Sequence, residues 1–221
     1  MKSRIQSIEL AGRACMLCLP ERLSEPATLF LCHMGAEAGA LAREVFARLP
    51  RDFAPVALAA VTDVVWDRDY TPWPSDCLSG RAFSGGAEAY LDYVEGTFLP
   101  RLQEELPTRA VFSLGYSLGG LCALHALTRS ACYSGGLSVS GALWYPGFLS
   151  FFQARRPSAP VYCSLGRSES RTRHPVMRCG ADCAQAIASR PGDCFEWTNG
   201  NHFFEIPQRL ALAIQWACRA G

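Results

Sequence analysis

Apolar, β-rich runs alternate along the chain with segments whose apolar positions recur every three to four residues. The first kind covers Arg4 to Leu19, with a turn at Ala11-Gly12, then Thr28 to Cys32, Val56 to Val61, Ala110 to Leu114, Leu137 to Ser140, Val161 to Leu165 and Cys194 to Thr198. The second kind covers Ala40 to Leu49, Ala87 to Leu106, Leu118 to Thr128, Val176 to Arg190 and Pro207 to Arg219. Strand followed by helix, repeated five times, predicts an α/β fold: a mostly parallel central sheet covered by helices on both faces. No linker, repeat or low-complexity segment divides the chain, so a single domain over 1–221 is expected. Thr62 to Gly86 reads as one long irregular stretch. Its aromatics Trp66, Tyr70 and Trp73 argue against disorder and for a segment that folds over something.

Ala110 to Thr128 carries no formal charge and is about as long as the ~20-residue helix that spans a bilayer. Gly115, Gly119 and Gly120 cluster at its centre, between a strand-type start and a helical Leu121, Leu124, Leu127 continuation. Two buried elements meeting at a tight turn account for it better than a span.

Lys plus Arg number 21 against 20 Asp plus Glu, a net charge of +1, which supplies neither the basic footprint of a nucleic-acid binder nor a basic membrane-binding face. A small-molecule partner is expected. The start MKSRIQSIELAGR has no uninterrupted apolar segment and no small-residue cleavage site, so the expected location is cytoplasmic. The 11 cysteines are then read as reduced, small hydrophobes. Cys15 and Cys18 form a C-x-x-C, but in a strand residues three apart face opposite sides. Cys179 and Cys183 stand four apart on a helix pattern without a second ligand pair, so no metal and no cofactor is expected.

Gly115-Tyr-Ser117-Leu-Gly119 sits between a strand and a helix, the context in which G-x-S-x-G forms a nucleophile elbow. The competing account is a packing turn whose serine caps a helix. A serine hydroxyl needs a base to take its proton, and the base needs a carboxylate to orient it, in the chain order Ser, acid, His. Three histidines follow Ser117. His125 lies about 12 Å further along the same helix and points away. His174 and His202 both follow strands at their carboxyl ends, where sites of open parallel sheets collect. His202 fits the order better, with His174 as the fallback. Of the four carboxylates between Ser117 and His202, Asp182 falls inside a helix, Glu196 inside the last strand, and Asp193 about 17 Å from that strand's carboxyl end. Glu169, just beyond VYCSLG, remains, to fix the imidazole tautomer and stabilise the imidazolium. The oxyanion of a tetrahedral intermediate would take backbone N–H groups from Leu118 and from HMGA, with Met34 the second donor. His33 is either a pocket residue or a locally satisfied loop histidine. Trp66, Arg68, Trp73 and Trp144 are candidate pocket walls, and Arg171 and Arg173 could hold an acidic substrate group.

Around GYSLGG, the segments WDRDYTPWP, FSGGAEAYLDYV, SVSGALWYP and GRSESRTRHPVM, together with GNHFFEIPQRLALAIQW, resemble the α/β-hydrolase superfamily. The similarity is to the bacterial esterase group that includes siderophore (enterobactin-type) esterases and, more distantly, esterase D or S-formylglutathione hydrolase. The resemblance implies an α/β-hydrolase three-layer sandwich. It also implies a serine hydrolase acting on a small-molecule ester, with Ser117, His202 and Glu169 at the corresponding positions and a Ser-His dyad as the variant without the acid. Acyl transfer by the same residues and a non-catalytic binding protein on this scaffold are the alternative functions.

Overall fold

The computed structural model describes residues 3–21, 23, 25–50 and 52–220. Strands β1 (Ser3–Leu10), β2 (Arg13–Pro20), β3 (Ala27–His33), β4 (Val56–Val61), β7 (Thr108–Tyr116), β8 (Gly135–Val139), β9 (Val161–Gly166) and β10 (Cys194–Thr198) form an eight-stranded sheet in the order β1-β2-β4-β3-β7-β8-β9-β10. Five of the pairings are parallel, from β4 through β10. The antiparallel β1–β2 hairpin closes one edge, its two-residue loop placing Ala11 and Gly12 at φ 48° and 77°. Positive φ at both loop positions gives the turn whose twist matches the strands it joins.

The inner parallel strands β3, β4, β8 and β9 are buried on both faces, which is why they read as continuous apolar runs rather than alternating ones. One face carries α3 (Ala87–Tyr93), continued through a π turn at Val94–Phe98 into α4 (Leu99–Glu105), together with α5 (Leu118–Arg129), α6 (Phe148–Ala154) and α7 (Gly180–Ile187). The other carries α1 (Ala38–Arg48) and α8 (Ile206–Ala220). Successive residues of β2 serve opposite faces, with Cys15 in one apolar cluster and Cys18 in the other, so this C-x-x-C converges on no common point.

The uncharged run around the elbow divides at Ser117 into β7 and α5, and no helix among the described residues is long and apolar enough to cross a membrane. Thr62 to Gly86 is not irregular throughout. It holds a helical turn, α2 (Trp66–Asp69), and a hairpin of β5 (Pro74–Leu78) with β6 (Arg81–Ser84). Asp69 anchors it: the buried carboxylate accepts from Val65 N–H at 2.9 Å and from Arg68 Nε at 2.7 Å. Charges, prolines and strands of four or five residues hid these elements from a periodicity reading.

Candidate active site

Ser117 occupies φ 59°, ψ −124°, a region a non-glycine residue enters only where its surroundings impose it. They do so through four backbone bonds. Ser117 N–H donates to Val139 O at 3.1 Å, and Ser117 O accepts from Gly120, Leu121 and Ala142 N–H at 3.0, 3.2 and 3.0 Å. Side chains at 115 and 119 would collide with backbone, since an added Cβ would lie 1.9 Å from Gly119 O and 1.8 Å from His33 O respectively. The strand therefore ends against the helix it starts, and the serine is the half-exposed residue in a buried turn.

The loop after β10 brings His202 to this turn, with Nε2 3.1 Å from Ser117 Oγ and Nδ1 2.7 Å from Glu169 Oε2. An ionised carboxylate only accepts, so Nδ1 carries the proton and Nε2 is left as the acceptor facing the serine hydroxyl. Glu169 stands in a single helical turn just after β9. Its Oε1 accepts from Gly166 N–H at 2.7 Å, from Ser140 Oγ at 2.9 Å and from Arg209 Nη1 at 3.0 Å. With His202 on Oε2, both oxygens of this carboxylate are engaged. Burial alone would raise its pKa, but the bond from His202, the Gly166 N–H, the charge of His202 and the Ser140 hydroxyl outweigh it and hold the pKa below the usual carboxylate value.

Sequence reasoning missed Arg209, Ser140 and Tyr116. Arg209, on α8, is only 2% exposed and bonds four groups: Glu169 Oε1, Ser140 Oγ at 2.7 Å, and the carbonyls of Asn199 and Asn201 at 2.6 and 2.8 Å. One guanidinium thus ties the acid to the loop that carries the histidine. A signal existed, because Arg209 shares a helical stripe with Ala213 and Ala217, both buried, and a charge on an apolar stripe needs a partner. Tyr116 donates from its hydroxyl to His202 O at 2.6 Å. Its ring lies 4.9 Å from the imidazole, which Phe203 flanks at 5.0 Å.

Ser117 opens into a cavity of about 1010 Å³. Met34 and Leu118 line it, and their backbone N–H groups donate to no other group among the described residues. Trp66 and Trp144 also line it; Arg68 and Trp73 do not. Arg68 is held by Asp69 and lies along Gly86, while Trp73 turns away to pack 5.2 Å from Phe151 and to donate Nε1–H to Pro146 O at 3.0 Å. Val64, Arg81 and Phe83 complete the wall contributed by the segment before α3.

The other histidines are elsewhere. His33 is buried, with Nδ1 2.9 Å from Tyr90 Oη and Nε2 2.9 Å from Ser113 Oγ, and burial lowers its pKa to about 3. It does not line the cavity. His125 is buried beside Glu88, its Nε2 2.8 Å from Oε1. His174 is exposed, as are Arg171 and Arg173, and none of the three lines the cavity. Asp193 is spent at the start of β10, accepting from Val161 N–H at 3.0 Å and pairing with Arg156. Among the described residues no group of three or more His, Cys, Asp or Glu side chains is arranged to hold a metal ion.

No family model matches the chain. It is 30% identical over 122 residues to the uncharacterized protein YbbA of Bacillus subtilis, covering 50% of this chain and 48% of that protein. It is 32% identical over 91 residues to the siderophore triacetylfusarinine C esterase of Aspergillus fumigatus, covering 39% of this chain and 30% of the esterase. The chain thus spans half or less of the length of these two relatives. Among solved structures, the IroE-like serine hydrolase from Shewanella oneidensis superposes with a TM-score of 0.69 at 20% identity, over 97% of this chain and 79% of that one. Siderophore hydrolase EstA from Aspergillus nidulans superposes with a TM-score of 0.74 at 16% identity, over 98% and 94%. These two structures are of a serine hydrolase and a siderophore hydrolase, and the chain shares their α/β-hydrolase fold.

Proposed function

We propose that the protein is a serine hydrolase, a carboxylesterase that cleaves small-molecule esters through an acyl-Ser117 intermediate. The observation that carries this reading is the unbroken relay from Ser117 Oγ to His202 Nε2 at 3.1 Å and from Nδ1 to Glu169 Oε2 at 2.7 Å, in the lining of a cavity of about 1010 Å³. His202 takes the serine proton as Oγ attacks the ester carbonyl, and Glu169 stabilises the imidazolium that forms. The N–H groups of Leu118 and Met34 receive the oxyanion. Collapse expels the alcohol, protonated by His202, and the same imidazole then activates the water that releases the acid and restores Ser117.

A fluorophosphonate probe tests the reading, because it captures an activated serine whatever the natural substrate. Labelling is expected on Ser117, absent in Ser117→Ala and far slower in His202→Ala. Labelling of His202→Ala at the native rate would remove His202 from the mechanism. The esterase and hydrolase names of the similar proteins support ester cleavage, and they make siderophore esters the class to set beside simple nitrophenyl esters in a turnover screen.

A further inference from the structure

The charges around the cavity point to the kind of ester it admits, an inference that rests on the hydrolase reading above. The walls are mainly apolar and aromatic, from Val64, Trp66, Phe83, Trp144, Met177 and Phe203, the last 77% exposed at the rim. Besides Glu169, which is engaged by His202 and Arg209, the charged side chains among the lining residues are Glu37 and Arg81. Arg81 is already engaged. Its Nε donates to Asp67 Oδ2 at 2.7 Å, its Nη2 contacts Asp67 Oδ1, and its guanidinium lies 5.3 Å from the Phe83 ring. Glu37 is exposed and takes no ion-pair or hydrogen-bond partner among the described residues. Its charge reaches Tyr116, another lining residue, where it contributes to the raised pKa of the phenol, behind the effects of burial, Glu169 and Arg209.

We propose that the cavity selects uncharged esters built on a bulky aromatic or branched apolar group, and discriminates against esters bearing an anionic group, with Glu37 as the repelling charge and Asp67 as the residue that keeps Arg81 from receiving an anion. Among the described lining residues, an anion entering the cavity meets one free carboxylate and no free cation. An apolar ring meets Trp66, Phe83 and Trp144.

The test uses two 4-nitrophenyl phenylacetates that differ only at the para position of the acyl ring, carboxamide in one and carboxylate in the other. At low salt, kcat/KM for the carboxamide ester is expected to exceed that for the carboxylate by about tenfold, the scale of one like charge several ångström away in a surface-like dielectric. The ratio should shrink as salt rises, in Glu37→Gln, and in Asp67→Asn, which releases Arg81. Equal turnover of the two esters, or a ratio unmoved by both substitutions, overturns the proposal. So does preference for the carboxylate ester, and loss of that preference in Arg171→Gln or Arg173→Gln would assign anion binding to the exposed loop. Binding of both esters to Ser117→Ala, read by tryptophan fluorescence, separates this proposal from the hydrolase reading. Preferred binding of the carboxamide ester by a protein that turns over neither ester in its native form supports the selectivity and sinks the chemistry.

Discussion

Replacing Arg209 by Met removes a cation from a site that water barely reaches, since the Arg209 side chain is 2% exposed and that of Glu169 11%. Glu169 Oε1 would keep Ser140 and Gly166 as donors but lose the guanidinium at 3.0 Å, while the carbonyls of Asn199 and Asn201 would lose donors at 2.6 and 2.8 Å. Breaking a buried ion pair from one side costs about 3–5 kcal/mol. At roughly 2–4 °C per kcal/mol for a chain of this size, Tm should fall by about 6–20 °C. Activity should fall as well, because the acid and the histidine loop share this one tie, and a shift of about 1 Å at a catalytic group costs on the order of a hundredfold. Thermal unfolding followed by fluorescence and kcat/KM for a nitrophenyl ester read the two effects separately. Loss of the neighbouring cation raises the Glu169 pKa, so the fall in stability toward acid should begin at higher pH, which plain loosening of the fold would not produce. Arg209→Lys keeps the charge but cannot serve the carboxylate and both carbonyls together, and should fall between the two. A native Tm and an unmoved acid edge of stability in Arg209→Met would refute the assignment of Arg209 as the positioning residue for Glu169.

Ser117→Gly should abolish ester turnover yet raise stability by about 1 kcal/mol: relief of a strained non-glycine φ recovers about 1–3 kcal/mol, against about 0.5–1 kcal/mol for the added chain entropy of glycine. Denaturant unfolding of the two proteins checks it, and a less stable Ser117→Gly would show that φ 59° carries no strain. The depressed pKa of Glu169 makes stability depend on pH with a definite sign. Its contribution is fully present above the unfolded carboxylate value of about 4.3 and is lost as pH falls through the lower folded value. The stability gap between the native protein and Glu169→Gln should therefore be flat at neutral pH and close toward acid. A gap unchanged down to about pH 3 would mean that the carboxylate is not stabilised by its partners.

The sheet was legible because its strands are short apolar runs separated by amphipathic helices, and the meeting of Ser117 with His202 and Glu169 was legible from chain order and the strand ends at which they sit. Trp66 and Trp73 show where legibility stops. They lie in one segment with similar neighbours, yet one lines the cavity and the other is turned onto Tyr145 and Phe151, because the α2 turn redirects the chain between them. Arg209 failed for a related reason. Its position on an apolar stripe was visible, but its partners come from the loops after β8, β9 and β10, and nothing local to α8 names them.

The elbow pattern itself carries a division of labour that its letters do not display. Of the three residues in Gly115-x-Ser117-x-Gly119, only the serine has positive φ; the two glycines have ordinary backbone angles. Glycine is required at 119 for approach: without a Cβ, the first turn of α5 can rest on the carbonyl of His33, where a Cβ would lie 1.8 Å away. His33 is fixed in turn by Tyr90 and Ser113 and remains neutral, so the end of β3 is a rigid seat. Seating α5 there holds its first turn, with Leu118, against the strand end that Met34 follows, and both residues line the cavity with backbone N–H groups that donate to no other group among the described residues. The spacing that bends the chain around the serine therefore also joins the two proposed oxyanion donors, although they lie in different segments of the chain.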